Sequence, residues 1–120
     1  MKLNDYVSER VPYTFNKKIR IVSAGCVGGT KESEGPLGSC LDIKIEDPLV
    51  NEKSFEKAES VLCRQALGIA LEKASLNDSN IDILLAGDLL NQCSSSGYGL
   101  VDYDIPYLGL YGACSTFAEA

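Results

Sequence analysis

A single helical period in the middle of the chain constrains the fold more than any other feature of the sequence. Apolar residues recur there at every third or fourth position, which places them on one face of an amphipathic helix: Phe55, Ala58, Leu62, Ala66 and Ile69. Ser54 stands where an N-cap is needed, and the turn-forming residues 77–80 follow the run. The sequence therefore predicts one helix that begins after Ser54 and ends near Ala74.

Short apolar runs around this helix predict buried strands. Residues 19–24 and 81–86 are rich in β-branched and aliphatic side chains, and a third apolar run covers residues 107–111. The residues from Phe117 onward have the character of a first helical turn. This order of strand, helix, strand, connection, strand and helix start is typical of an α/β protein with a mostly parallel sheet and crossover helices.

We divide the chain into a polar lead-in arm, residues 1–17, and a core of sheet and helices, residues 18–120. Within the core, six glycine and proline residues crowd residues 25–38 and predict a long, shaped loop. Residues 92–99 are small and polar, and their sequence fits a weak helix or a loop. Because both faces of a parallel sheet need cover, we expect this core to be incomplete and truncated at its C-terminus.

Charge and residue usage exclude several classes of function. The chain has 120 residues, of which 17 are acidic and 11 basic, and its formal net charge of -6 opposes binding to phosphate backbones. It contains no histidine, which excludes histidine-based general base catalysis and histidine-ligated metal sites. We therefore expect neither a nucleic-acid partner nor a metal centre.

Cysteine spacing and hydropathy predict the compartment. The cysteines at positions 26, 40, 63, 93 and 114 match no zinc or disulfide framework, which favours free thiols in a reducing compartment. No apolar run approaches the roughly 20 residues of a membrane-spanning helix, and the N-terminus lacks a signal-peptide core. The sequence thus predicts a protein that is not secreted and has no transmembrane segment.

Cys114 is the cysteine whose local sequence favours chemistry. Gly112 permits a tight turn after the third predicted strand, and the thiol then lies at a helix start. Unsatisfied backbone N–H groups at such a position favour a thiolate and can hold an anion. The alternative is a buried structural cysteine, since free cysteines usually behave as small apolar residues. The sequence leaves both interpretations open.

Two further segments carry polar or shaping residues after predicted strands. Lys31 projects a cation from the glycine-rich loop, which lacks the spacing of a P-loop, and Gly35 and Pro36 shape the same loop. Asp88 and Asn91 follow the second strand and are expected at the same carboxyl edge of the sheet. The plain alternatives are a solvated surface lysine and helix capping by Asp88.

Three segments taken together resemble a known family. The sequences GPLGS (residues 35–39), AGDLLNQ (residues 86–92) and IPYLGLYGACST (residues 105–116) resemble the stage V sporulation protein AD family, a thiolase-like family of spore-forming Firmicutes. The resemblance extends from about Lys31 to the C-terminus. Members of the family are longer and contain two thiolase halves. The resemblance therefore implies a partial thiolase-like fold, in which residues 1–120 form the first part of the N-terminal half.

The resemblance also implies a function. Members of this family are implicated in binding dipicolinic acid, in its uptake into the developing spore and in its release at germination. Cys114 matches the position of the thiolase nucleophile. The ligand-binding residues expected in this chain are Cys114, Lys31, Gly35, Pro36, Asp88 and Asn91.

The remaining expectations follow from the same resemblance. The implied partners are dipicolinic acid, other stage V A sporulation proteins at the spore membrane, and a second copy of the full-length form. The implied location is the cytoplasm of the forespore, peripherally associated with the inner spore membrane. No resident cofactor is expected, and calcium is the ion that would accompany dipicolinate.

Two alternatives to ligand binding without turnover remain. The first is an acyltransferase of thiolase or ketosynthase type with Cys114 as the covalent nucleophile, for which this chain supplies no histidine base. The second is a chain without activity of its own. We expect a thiolase-like fold that is used for binding rather than for catalysis.

Overall fold

Short strands and helices alternate along the chain. The computed structural model describes residues 16–90 and 92–120. In chain order its elements are β1 (Val27–Gly28), α1 (Thr30–Glu34), β2 (Ile43–Lys44), α2 (Phe55–Ala74), β3 (Leu84–Ala86), α3 (Ser94–Leu100), β4 (Tyr107–Gly109) and α4 (Thr116–Glu119). The predicted mixed α/β class is confirmed. Most of the lead-in arm, residues 1–15, lies outside the described residues.

The long helix α2 begins and ends where its sequence predicts. The Oγ atom of Ser54 accepts a hydrogen bond from the backbone N–H of Lys57, which satisfies one of the amides that the first turn leaves unpaired. At the other end Ser75 adopts a left-handed conformation with φ of 54°, and its N–H donates to the carbonyl groups of Leu71 and Glu72. At 20 residues the helix is about 30 Å long.

The strands form two separate parallel pairs. β1 pairs with β2, with Val27 opposite Ile43, and β3 pairs with β4, with Leu85 opposite Leu108. The predicted parallel arrangement is therefore confirmed, although these four strands do not join into one sheet. β3 and β4 lie within the second and third predicted strands, and both are shorter than the apolar runs that contain them.

The predicted first strand is wrong. Residues 19–24 form no strand, and Ile21 is 92% exposed. The segment instead lies against α2, because Ser23 Oγ donates to the carbonyl of Ala70 at 2.6 Å and Gly25 approaches the backbone of Ala66 so closely that a Cβ atom would lie 2.1 Å from its oxygen. An apolar run becomes a strand only when another strand offers it a hydrogen-bonding partner, and the described residues offer none here.

The prediction of a long glycine-rich loop over residues 25–38 is also partly wrong. Residues 25–38 contain β1 and α1, so that only their second half follows an irregular course. Residues 92–99, which were left open between helix and loop, include most of α3. In both places the helices are short, and they depend on contacts with neighbouring elements rather than on a strong local periodicity.

Helix α3 packs closely on α2 through a glycine. A Cβ atom at Gly99 would lie 2.4 Å from the backbone oxygen of Ser60. The close approach lets Arg64 Nε donate to the carbonyl of Gly99 at 3.0 Å, and Ser60 Oγ donate to the carbonyl of Ser95 at 2.8 Å. These backbone contacts fix the position of α3 relative to α2.

Alanine substitution at the two glycines of α3 tests this packing. We expect Gly99→Ala to lower the free energy of unfolding by about 1–3 kcal/mol, because the new methyl group overlaps the α2 backbone. Gly97 has nothing within 4 Å of its Cβ position. Gly97→Ala should therefore leave the stability unchanged or raise it by up to about 1 kcal/mol through helix propensity. Urea denaturation followed by circular dichroism measures both, and equal effects would contradict the close approach.

Candidate functional site

The carboxylate of Asp88 is a strongly constrained polar group just beyond β3. The residue is 6% exposed, and its Oδ2 accepts hydrogen bonds from the N–H and the Oγ of Ser96, both at 2.8 Å. The Ser96 amide belongs to the first turn of α3, whose N-cap residue Cys93 makes no side-chain capping bond. Asp88 therefore caps α3 from outside the helix, which is the role that the sequence offered as the alternative to ligand binding.

The same network reaches β4. The hydroxyl oxygen of Tyr107 lies 3.0 Å from Ser96 Oγ and 3.4 Å from the carbonyl oxygen of Ala86. Asp88 Oδ1 is buried and has no hydrogen-bond partner among the described residues. A chain of hydrogen bonds through Asp88, Ser96 and Tyr107 thus connects the end of β3, the start of α3 and the strand β4.

The side of this network that faces α2 is acidic. Burial, reinforced by the nearby charge of Asp88, raises the pKa of Glu59. Burial together with the charges of Glu59 and Asp88 raises the pKa of the Cys63 thiol to about 11. A cavity of about 320 Å³ between α1 and α2 is lined by Glu59 and Cys63 and also by Glu32. This cavity repels anions, and Cys63 stays a neutral thiol at physiological pH.

The end of β3 also meets the turn that carries Cys114. A Cβ atom at Gly87 would lie 2.1 Å from the carbonyl oxygen of Leu110 and 2.7 Å from the Cγ2 of Thr116. The N–H of Leu110 donates to the carbonyl of Ala86 at 2.8 Å. Cys114 itself is exposed. The structure therefore brings two of the predicted site segments to one carboxyl edge, that of the β3–β4 pair.

The turn around Cys114 is tighter than the sequence indicates. Residues Ala113–Ser115 form a 3₁₀ turn that leads directly into α4. The left-handed conformation falls on Ala113, with φ of 48°, and not on Gly112, which has φ of -112°. A left-handed alanine costs about 1 kcal/mol. A Cβ atom at Gly112 would meet only the carboxylate of Glu119, the end of a flexible side chain that can move aside, so this contact does not by itself require glycine there.

The other predicted site residues lie elsewhere. Lys31 is exposed on α1 and forms no ion pair within residues 16–90 and 92–120, in keeping with the solvated surface lysine that the sequence allowed. Gly35 follows α1 as its C-cap and donates its N–H to the carbonyl of Glu32, and Pro36 is exposed beside it. Among the residues that the structure describes, no hydrogen bond joins Lys31, Gly35 or Pro36 to Asp88 or Cys114. Asn91 lies outside the described residues.

Sequence reasoning missed several residues of this region. Ser96 and Tyr107 complete the network around Asp88, and the only local signal for Ser96 was a run of three serines at a helix start. A cleft of about 610 Å³ between α2 and α3, lined by Lys57, Arg64 and Ser95 among others, was also missed. Its residues belong to two helices, and their proximity follows from the packing of those helices.

Two further observations concern only the part of the chain that the structure describes. No group of three or more cysteine, aspartate, glutamate or histidine side chains is arranged there to hold a metal ion. No helix in that part is both long enough and apolar enough to cross a membrane.

Comparison with known proteins places this chain in a family. Residues 10–120 match the family model described as stage V sporulation protein AD. The chain belongs to this family. It is also 44% identical over 107 residues to the stage V sporulation protein AD of Bacillus subtilis (strain 168), in an alignment that covers 89% of this chain and 32% of that protein. The chain thus spans about a third of the relative's length, and the family resemblance predicted from the three sequence segments is confirmed.

Alkylation rates test the contrast between Cys63 and Cys114. At pH 7.5 we expect iodoacetamide to modify Cys114 at least about tenfold faster than Cys63, because Cys114 is exposed whereas burial and carboxylates hold Cys63 as a thiol. Cys40, which is exposed and distant in sequence, is the reference for an ordinary thiol. We expect Cys114 to exceed Cys40 as well, and peptide mass spectrometry measures all three. If iodoacetamide modified Cys63 as fast as Cys114, the reagent would have free access to the Cys63 thiol on α2, and the contrast would be wrong.

Proposed function

We propose that this chain acts in sporulation as a binding protein for dipicolinic acid, which it would help to move into the developing spore and to release at germination. Membership of the stage V sporulation protein AD family supports the role in sporulation. The observation that best supports the position of the proposed binding site is the contact of Gly87 with Leu110 and Thr116. Through this contact the Cys114 turn lies beside the end of β3.

The electrostatics of the region support a position for the ligand on the Cys114 side. Dipicolinate is a planar dianion, and the carboxylates of Glu32, Glu59 and Asp88 oppose its entry between α1 and α2. The Cys114 turn is exposed, and we propose that its first backbone N–H groups meet a carboxylate of the ligand, since those of Ser115 and Thr116 already donate within the turn. Lys31, exposed on α1, is a further proposed contact, although no hydrogen bond links it to this turn among the described residues. Asp88 then acts by holding the edge in place, and Gly35, Pro36 and Asn91 are further proposed contacts.

Calcium fits this arrangement as a companion of the ligand. A chain with a net charge of -6 repels a free dianion, whereas a calcium ion bound to the two carboxylates cancels that charge. The ion would arrive with dipicolinate. We therefore expect calcium to strengthen binding.

The proposed partners and location follow from the family. We propose that the full-length form works with other stage V A sporulation proteins in the forespore, peripherally at the inner spore membrane, and that it forms a homodimer. The negative charge of the chain disfavours direct attachment to anionic lipids, which supports attachment through a partner protein.

An acyltransferase with Cys114 as the nucleophile is the second candidate. The exposure of the thiol favours it, since a substrate can reach Cys114 without any rearrangement. The absence of histidine from the sequence counts against it, because acyl transfer needs a general base. A stable gain in mass after incubation with acetyl-coenzyme A, lost in Cys114→Ala, would favour this candidate over binding alone.

Calorimetric titration of the chain with dipicolinate tests the proposed function. We expect saturable heat that increases when calcium is present. Cys114→Ala should weaken binding about threefold or less, because the backbone N–H groups remain, whereas Cys114→Phe should abolish it by filling the site. Cys40→Ala is the matched control, since it removes an exposed thiol that is not among the proposed ligand contacts.

Two results would contradict the proposal. The first is the absence of saturable heat with and without calcium. The second is undiminished binding by Cys114→Phe, which would place any dipicolinate site away from the Cys114 turn.

A further inference from the structure

The cleft between α2 and α3 has the composition of a ligand site. It measures about 610 Å³, within the usual range for small-molecule sites. One wall is a stripe of α2 on which Lys57, Val61 and Arg64 follow one another at steps of four and three residues, and therefore share a face. The opposite wall is α3, with Ser95 and Tyr98.

A buried hydroxyl on the α3 wall lacks a partner. Ser95 is 1% exposed and lines the cleft, and its Oγ makes no hydrogen bond to any described residue. A buried hydroxyl without a partner costs about 1–3 kcal/mol. A polar group of a ligand in the cleft would supply the missing hydrogen bond.

The α2 wall provides two cations with unused donors. Lys57 forms no ion pair within the described ranges, so that its ammonium is available. Arg64 donates through Nε to the carbonyl of Gly99 and through Nη2 to Asp102, which leaves N–H groups of the guanidinium unused. Both side chains are suited to a carboxylate.

Two carboxylates line the same cleft. Glu52 precedes α2, and Glu56 lies in its first turn. Their charges balance those of Lys57 and Arg64, so that the cleft as a whole is neutral but has separate acidic and basic groups. A simple dianion would meet repulsion from the two glutamates, whereas a ligand that carries both charges would be attracted at both ends.

The apolar part of the lining consists of two side chains, beside which the cleft contains the further serines Ser54, Ser60 and Ser94. Val61 and the ring of Tyr98, a residue that is 75% exposed, offer a surface for an uncharged ligand body. An aromatic ring packed against Tyr98 would gain contact area without disturbing the α2–α3 interface.

We propose that this cleft binds a small zwitterion with an apolar body, of the class of α-amino acids with a large side chain. The carboxylate lies between Lys57 and Arg64, the ammonium faces Glu52 and Glu56, and the side chain covers Val61 and Tyr98. Ser95 donates its hydroxyl to the carboxylate. The site is separate from the proposed dipicolinate site at Cys114 and goes beyond that function.

Nuclear magnetic resonance titration of the 15N-labelled chain tests the proposal with three probes. L-phenylalanine carries both charges, 3-phenylpropionate lacks the ammonium and 2-phenylethylamine lacks the carboxylate. We expect phenylalanine to bind with a dissociation constant of about 1 mM and to shift amides of α2 and α3. Each probe with a single charge should bind at least about fivefold more weakly.

Three variants connect the binding to the cleft. Lys57→Gln should weaken phenylalanine binding about fivefold, whereas Lys44→Gln, the same change on an exposed residue of β2, should leave it unaltered. Ser95→Ala should weaken binding about threefold. Without ligand, Ser95→Ala should not lower stability, because its hydroxyl has no partner to lose; a merely structural role of Ser95 would produce the opposite result.

The outcomes separate this proposal from the dipicolinate site. Phenylalanine binding that survives Cys114→Phe and weakens in Lys57→Gln supports the proposal, whether or not dipicolinate binds. It is overturned if phenylalanine does not bind, if 3-phenylpropionate binds equally well, or if the shifted amides surround Cys114 instead of the cleft.

Discussion

The hydrogen bonds between Ser96 and the buried carboxylate of Asp88 determine how the functional part of the structure is arranged. They satisfy an amide in the first turn of α3, and through Tyr107 they extend to β4. Because the neighbouring Gly87 touches the turn that carries Cys114, the same interaction also holds the proposed ligand edge. The carboxylate therefore positions the elements that surround the proposed site, and its contact with a ligand stays a prediction.

This arrangement separates two electrostatic environments. On the α2 side, burial and the charge of Asp88 raise the pKa of Glu59, and burial with the charges of Glu59 and Asp88 raises the pKa of Cys63. That side is therefore unsuitable for an anion or for thiol chemistry. On the other side Cys114 is exposed at a tight turn. The two cysteines thus differ in accessibility although both belong to one small α/β structure.

The sequence predicts structural features that depend on neighbouring residues. Its predictions fail where contacts between residues distant in sequence determine the structure. The bounds of α2 follow from its periodicity and from the Ser54 cap, and the structure confirms them. Residues 19–24 have an equally clear apolar pattern, but a strand needs a partner, and they lie against α2 instead. The sequence also located Asp88 but not its partner Ser96, which follows it eight positions later, beyond a turn. The cleft at Lys57 depends on the packing of two helices and has no local signal.

Amide hydrogen exchange in Asp88 variants measures the central interaction most directly. Asp88→Ala should raise exchange in α3 and β4 at least about tenfold, because a buried capping bond and its network are lost. Asp88→Asn keeps one acceptor oxygen and should restore part of the protection, and Asp82→Ala, at an exposed position before β3, should have no effect. Unchanged exchange of the Ser96 amide and of the rest of α3 in Asp88→Ala would contradict the account.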